Sequence, residues 1–361
     1  MQDIAEGALE EASPTEGGSV RGATGGGFSS DRVDALLRWS IVAILAAVLG
    51  LGGLFAYTVW QARRDESAST PAGRAIQDLK ARVKATPNNA DLRVRLGEAL
   101  ASSGLYKDAV EQLRAATKLN PKHDGAYLDL GILALEQKQP KTAEGYFQKV
   151  IELTAGDMEG VNQRRETAYF YLGSIALDAR RYEDAVANLK AALRVRRDTS
   201  DTYYLLAQAY KGLDRKDAAM KQLEAALAFD PNYAEAHYLM GQIYLEEGDK
   251  INAAEHFRIA AEQAPDQDLP QEALAGLGTA EDAVSKGRED LKAKRYEKAI
   301  DSALLARALD PKYVPAVVLH AEAAEASGET SAAVNAYRRL LELEPNNAQA
   351  AAGLKRLGAT K

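Results

Sequence analysis

The sequence predicts an all-α fold, a superhelical solenoid of stacked helical hairpins, and three observations lead to it. A 34-residue pattern recurs seven times in the 361-residue chain; its clearest copy runs Leu96-Gly97, Ala109, Ala116, Pro121. The same cadence returns as Leu206-Ala207, Ala219, Ala226, Pro231 and as Met240-Gly241, Ala253, Ala260, Pro265. Proline closes most copies, where it cannot continue a helix. Self-similarity at this period marks hairpins that bury a continuous core only by stacking on one another.

Residues 1–38 come first, with Gly17-Gly18, Gly25-Gly26-Gly27 and seven acidic against three basic side chains. So little apolar surface cannot offset ordering entropy, and a disordered tail is expected. Trp39 to Trp60 follows as 22 residues without a charge, flanked by Arg38 and by Arg63-Arg64. A bilayer core takes about 20 apolar residues as a helix, so a single transmembrane span is expected. Trp39, Tyr57 and Trp60 stand near its ends, where amphipathic rings favour the headgroup level. A cleaved signal peptide would have a shorter apolar core, about 7–15 residues, nearer the amino terminus; a retained anchor is the better reading. Arg32 and Arg38 before the span, against Arg63, Arg64 and Arg74 after it, leave the orientation open. Residues 61–73 form a polar linker.

The solenoid is expected over 74–361. Seven copies fall at 90–123, 124–157, 166–199, 200–233, 234–267, 280–313 and 314–347, with extra chain after the second and fifth. The eighth place holds Gly97, Gly131, Gly173, Ala207, Gly241, Gly287 and Ala321, small enough for two helices to approach closely. The twentieth holds alanine in all seven, from Ala109 to Ala333. Alanine keeps helix propensity and leaves room for a neighbour. Leu113, Phe147, Leu189, Leu223, Phe257 and Tyr337 are large enough to fill the space between layers. Residues 74–86 are expected to form a first packing helix and 348–358 a polar closing cap, as solenoid ends require. After the second copy, a longer second helix or a projecting loop is expected around 156–165. Residues 268–279 are expected to form a joint, irregular or a single helix, that changes the superhelical pitch.

On these residues the array resembles the tetratricopeptide repeat family, and the resemblance extends from about Gly73 to the end. It implies a right-handed superhelix whose concave groove is lined by the first helix of each hairpin. The fifth place, which points into that groove in the family, holds Val94, Leu128, Phe170, Tyr204, Tyr238, Val284 and Val318. The ninth holds Glu98, Ile132, Ser174, Gln208, Gln242, Arg288 and Glu322. The candidate partner-binding residues are therefore Leu128, Ile132, Phe170, Tyr204, Gln208, Tyr238 and Gln242. Their mix of apolar surface and amides suits a peptide or an apolar helix face. Val94 and Glu98 stand where some members carry the basic clamp for acidic carboxy-terminal peptides, so that mode is disfavoured.

Composition limits the alternatives. Net charge is −7, from 45 basic and 52 acidic residues, which argues against a nucleic-acid groove. There is no cysteine, so no disulfide, thiolate site or cysteine nucleophile. His123, His237, His256 and His320 fall in no metal-binding spacing, and no phosphate loop or nucleophile elbow appears. No enzyme, cofactor, metal or small-molecule substrate is expected. The expected function is a membrane-anchored scaffold that binds a protein partner. The resemblance implies an envelope assembly factor, such as one of cytochrome c maturation in a bacterial inner membrane, with its repeats outside the cytoplasm. A cytoplasm-facing docking receptor and a self-assembling structural scaffold are the alternatives.

Overall fold

The computed structural model describes Thr58, residues 70–156 and residues 162–359. The tail 1–38, the apolar stretch 39–60 apart from Thr58, and most of the linker lie outside them. Among the described residues no helix is long and apolar enough to cross a membrane. Two units divide the chain, Met1–Arg74 and Ala75–Lys361, and the second contains the array.

Among the described residues the secondary structure is seventeen α-helices and no strand. Helix α1 (Pro71–Ala85) precedes five hairpins: α2 (Ala90–Ser102) with α3 (Tyr106–Leu119), α4 (Asp124–Glu136) with α5 (Pro140–Thr154), α6 (Gln163–Asp178) with α7 (Tyr182–Val195), α8 (Ser200–Gly212) with α9 (Lys216–Phe229), and α10 (Ala234–Glu246) with α11 (Lys250–Gln263). A short helix α12 (Asp268–Ala275) joins them to α13 (Ala280–Lys292) with α14 (Tyr296–Leu309) and α15 (Val314–Ser327) with α16 (Thr330–Leu343); α17 (Ala348–Arg356) closes the array.

One contact holds each hairpin together. A Cβ placed on Gly131 would fall 2.5 Å from the Phe147 ring, on Gly173 2.5 Å from Leu189, and on Gly241 2.6 Å from Phe257. In these hairpins the first helix must be bare where the second presents its largest side chain; the fourth and seventh carry the small Ala207 and Ala321 at the same place. All seven alanines at the twentieth place are fully buried on the facing helix. The sixth hairpin departs from this scheme, because its second helix offers only Ala303 there. Leu319 of the next hairpin fills the space instead, 2.5 Å from where a Gly287 Cβ would lie.

Stacking then extends the core. Second helices pack on the first helix of the next hairpin, and first helices touch each other along one side. Ile76 and Val83 of α1 join Leu92, Leu96, Leu100 and Leu113 in one buried cluster. At the far end Ala350 and Leu354 cover Tyr337 and Leu340. There the Tyr337 hydroxyl donates to Glu325 at 2.5 Å, and Arg356 grips the same carboxylate with two bonds of 2.8 Å. Arg356 first and Tyr337 second hold the Glu325 carboxyl down at about 2.

Two joints interrupt the period. After the second hairpin, α5 stops at Thr154 rather than running on, and α6 starts at Gln163, three residues ahead of the spacing-based start at 166. Asn162 caps α6 by accepting from the Arg165 amide at 3.0 Å, which is why the helix begins early. The buried Arg165 donates to the Thr154 carbonyl at 3.1 Å and fastens the two ends of the insertion; 157–161 lie outside the described residues. After the fifth hairpin, α12 is a helix and the packing partner changes: α11 packs on α14, second helix against second helix.

The turn inside each hairpin follows a rule that the sequence does not advertise. The fifteenth place is left-handed in all seven copies, with φ between 56° and 86°. Only three of these residues are glycine (Gly104, Gly248, Gly328); the others are Lys138, Arg180, Asp214 and Lys294. The next amide closes the turn each time, for example Arg181 N–H to the Ala176 carbonyl at 2.8 Å and Leu105 N–H to the Leu100 carbonyl at 2.9 Å. A side chain in this region costs about 1–2 kcal/mol. Arg180→Gly is therefore expected to raise the thermal midpoint by about 2 °C, since the gain exceeds the added unfolded-state entropy. Melting curves of parent and variant check it, and a lower midpoint would contradict the turn geometry.

Candidate functional site

First helices of neighbouring hairpins touch, so the fifth and ninth places line up from one repeat to the next. Leu128, Ile132, Phe170, Tyr204, Gln208, Tyr238 and Gln242 are all half-buried: anchored in the array, yet with surface to offer. Val94 and Val284, on either side of these residues in the same row, are buried at 5% and 4% exposure and present almost nothing, while Val318 beyond them is half-buried.

The row resolves into two groups. Leu128 and Ile132 pack beside Phe147 and Leu172, with Tyr171 stacked on Phe147 at 5.1 Å. Phe170 and Tyr204 pack against the core of the third to fifth hairpins. Phe170 meets Tyr171 edge-on at 5.5 Å, which links the two groups. Tyr204 lies 5.3 Å from Tyr233 between ring centres, and Tyr238 lies 5.6 Å from the buried Phe257. The aromatic floor is thus rigid, each ring held by another ring.

The amides are engaged. Gln208 hydrogen-bonds the Tyr204 hydroxyl, and burial pushes that phenol above its ordinary range. Gln242 accepts from the Lys211 ammonium at 3.0 Å. Lys211 also pairs with Glu246 at 3.0 Å, and Lys216 pairs with the same carboxylate at 3.1 Å. Burial opposes ionisation of Glu246, but the hydrogen bonds from the two lysines outweigh it and the carboxyl sits low. The Tyr233 hydroxyl donates to Asp201; burial first, then that carboxylate, drives the phenol up.

Residues outside the fifth and ninth places complete the site: Tyr171 and Asp129 at the sixth, Lys211 and Glu246 one turn further on, and Tyr233 just before the fifth hairpin. Helical spacing of three to four residues from the candidate row points to all but Tyr233, which caps α10 and reaches the row through its contact with Tyr204. Carboxylates at Glu98, Asp129, Asp201 and Glu235 lie on the first helices of the first, second, fourth and fifth hairpins. Asp129 is the most perturbed. Its Oδ2 is buried without a hydrogen-bond partner. Burial and then nearby Glu98 raise its carboxyl to about 6, against opposing pulls from Arg164 and His123.

The histidines are structural. His237 is buried; its Nε2 lies 3.2 Å from the Pro231 carbonyl and its Nδ1 lies 2.9 Å from His256 Nδ1. Nε2–H donates to the carbonyl, which leaves Nδ1 bare to accept from His256. Burial, then His237, push His256 down to about 4. His320 Nδ1 accepts from Arg307 at 2.9 Å. Among the described residues no group of three or more histidines and carboxylates is arranged to hold a metal.

A raised carboxyl in the fold favours its protonated form, so the contribution of Asp129 is fully present below about pH 3.8 and is lost as pH rises through about 6. Asp129→Asn is accordingly expected to raise the thermal midpoint by a few degrees at pH 8, with the difference vanishing by pH 4. Melting curves across that range check the sign. A variant less stable than the parent at pH 8 would show that the ionised carboxylate has a partner.

Profiles of the tetratricopeptide repeat match residues 94–157, 176–243, 234–267 and 314–347, together more than half of the chain. No curated protein matches the sequence. Among solved structures, YrrB, described as a TPR protein with an unusual peptide-binding site, is 20% identical with a TM-score of 0.47, covering 55% of this chain and 98% of its own. MamA from Desulfovibrio magneticus RS-1 is 22% identical with a TM-score of 0.44, covering 50% and 97%. PilF from Pseudomonas aeruginosa is 14% identical with a TM-score of 0.41, covering 74% and 97%. Proteins built of these repeats are generally non-enzymatic scaffolds that bind protein or peptide partners. The stacked hairpins and the matching profiles agree: this chain belongs to the tetratricopeptide repeat family and is a scaffold for protein–protein interaction.

Proposed function

We propose that the chain is a membrane-anchored adaptor whose groove holds an extended or helical segment of a partner protein. The observation that carries this is the half-exposed row from Leu128 to Gln242, in which rigid aromatic and aliphatic surface alternates with amides. Rings already fixed by their neighbours lose little entropy when a partner covers them. Amides serve a peptide backbone as donor and acceptor alike. Carboxylates at Glu98, Asp129, Asp201 and Glu235 favour a segment that carries lysine or arginine among its apolar residues.

The uncharged stretch 39–60 supplies the tether, and its arginine-flanked length fits one span. A tether raises the effective concentration of the bound segment at the bilayer without any new contact. A bacterial inner-membrane location, with the repeats outside the cytoplasm, makes the chain an envelope assembly factor, with cytochrome c maturation as one such pathway.

Peptides selected on the full chain from a displayed library are expected to mix apolar with basic residues. The double variant Tyr204→Ala, Tyr238→Ala is expected to bind them at least tenfold more weakly, by about 1.4 kcal/mol or more, while melting near the parent temperature. Equal binding by the double variant would remove the groove from the account. The topology has its own test in protease treatment of intact spheroplasts carrying a carboxy-terminal tag. Digestion from outside is expected, whereas protection until lysis would turn the chain into a cytoplasm-facing docking receptor.

A further inference from the structure

Second helices form the other face of the array, and between successive hairpins that face carries notches. The notch between the second and third hairpins is lined by Glu144, Gln148, Ile151, Leu172, Ala176, Arg181, Asp184 and Asn188. Its single arginine is compensated: Arg181 pairs with Glu144 and, at 3.4 Å, with Asp184. Nothing there asks for a ligand.

The notch created by the joint after the fifth hairpin is different. Because α11 packs on α14, three second helices from three hairpins converge. The resulting cleft, about 320 Å³, is bordered by Arg258, Arg307 and Arg339, by the exposed carboxylate of Glu255, and by an apolar wall that includes Ile251, Leu304 and Pro311. Arg258 is partly engaged, donating to the Ala308 carbonyl at 3.2 Å and to Glu262 at 2.6 Å. Arg339 pairs with Glu342 at 2.7 Å, one turn along its own helix and well exposed, so the pair is weak and easily exchanged.

Arg307 carries the argument. It is half-buried, and among the described residues it forms no ion pair; its hydrogen bond goes to His320 Nδ1, a neutral acceptor at 2.9 Å. Burial, then the like charge of Arg339, press its guanidinium below its ordinary range. A half-buried cation facing a second cation is unfavourable unless an anion sits between them. In a chain of net charge −7, counter-charge is not scarce, yet among the described residues no carboxylate forms an ion pair with this side chain.

We propose that this cleft is an anion site for a small molecule bearing a phosphate group, with Arg307 and Arg339 as the paired guanidinium donors. A guanidinium is a planar fork of N–H donors that matches phosphate oxygens. Arg258 adds positive potential at the rim, and Ile251, Leu304 and Pro311 take an apolar portion of the ligand beside its phosphate. The exposed Glu255 carboxylate disfavours ligands with further negative charge on that side. The site lies on second helices and is independent of the groove row, so it stands whether or not a peptide binds there.

Titration calorimetry on the full chain in neutral detergent, at constant ionic strength, tests this with inorganic phosphate and phenyl phosphate as probes. Saturable one-site binding is expected, tighter for phenyl phosphate. Arg307→Gln and Arg339→Gln are each expected to weaken it at least tenfold, and Arg181→Gln, in the compensated notch, to leave it unchanged. Arg339 is well exposed, so its variant stays folded even if Arg307→Gln melts early. Dihexanoyl phosphatidylglycerol and dihexanoyl phosphatidylcholine distinguish the source of the phosphate. Preference for the phosphatidylglycerol over phenyl phosphate assigns a lipid headgroup, and the reverse assigns a free phosphate ester. No saturable binding by the parent, undiminished binding by Arg339→Gln, or equal weakening by Arg181→Gln would overturn the proposal.

Discussion

The structure depends on one steric constraint: two helices of a hairpin approach so closely that the first carries only glycine or alanine where they meet. Gly131 against Phe147 and Gly241 against Phe257 show it most plainly, with no room for even a methyl group. A hairpin closed in this way buries the inner seam but leaves an apolar flank on each side. Those flanks must be covered by the next hairpin, so the same contact that closes one unit requires the stack. The sixth hairpin bears this out by exception. Ala303 leaves a space that Leu319 of the seventh enters, and closure within the unit is replaced by coupling between units.

That constraint explains what the sequence makes legible. Small residues at the eighth place, alanines at the twentieth and large residues four further on are dictated by steric exclusion, which tolerates few alternatives, so they repeat visibly. The left-handed fifteenth place is equally regular in conformation yet illegible, since Gly104, Lys138, Arg180, Asp214, Gly248, Lys294 and Gly328 share no chemistry. Its cost of about 1–2 kcal/mol is small enough for the closing hydrogen bond and packing to absorb, so no single residue type is enforced. The groove row was legible as a list of places but not as a surface. That Val94 and Val284 are covered while Tyr204 and Tyr238 remain half-open depends on neighbours that sequence spacing does not supply. Asp129 was missed because its burial is set by contacts between hairpins.

The joint after the fifth hairpin shows how an interruption creates chemistry. A regular step would set α11 against the first helix of the next unit. The extra chain that forms α12 lets it meet α14 instead, and this brings arginines from three hairpins to one cleft. From sequence, residues 268–279 announce a break in the period, but a break does not say which faces meet.

The two candidate sites thereby differ in the charges that line them. The first-helix face joins aromatic rings to carboxylates, of which Asp129 is raised and Glu246 lowered in its ionisation. The second-helix face at the joint gathers guanidinium groups beyond what its carboxylates neutralise. Long-range fields of opposite sign on opposite sides of a rigid body orient an approaching charged partner before contact. On the two proposals made above, a basic segment is drawn to the groove and repelled from the cleft, and an anion is steered the other way. Because the aromatic row rests on the buried core of its hairpins and the cleft on the buried α11–α14 contact, both sites keep fixed places on the array and do not rest on side-chain rearrangement.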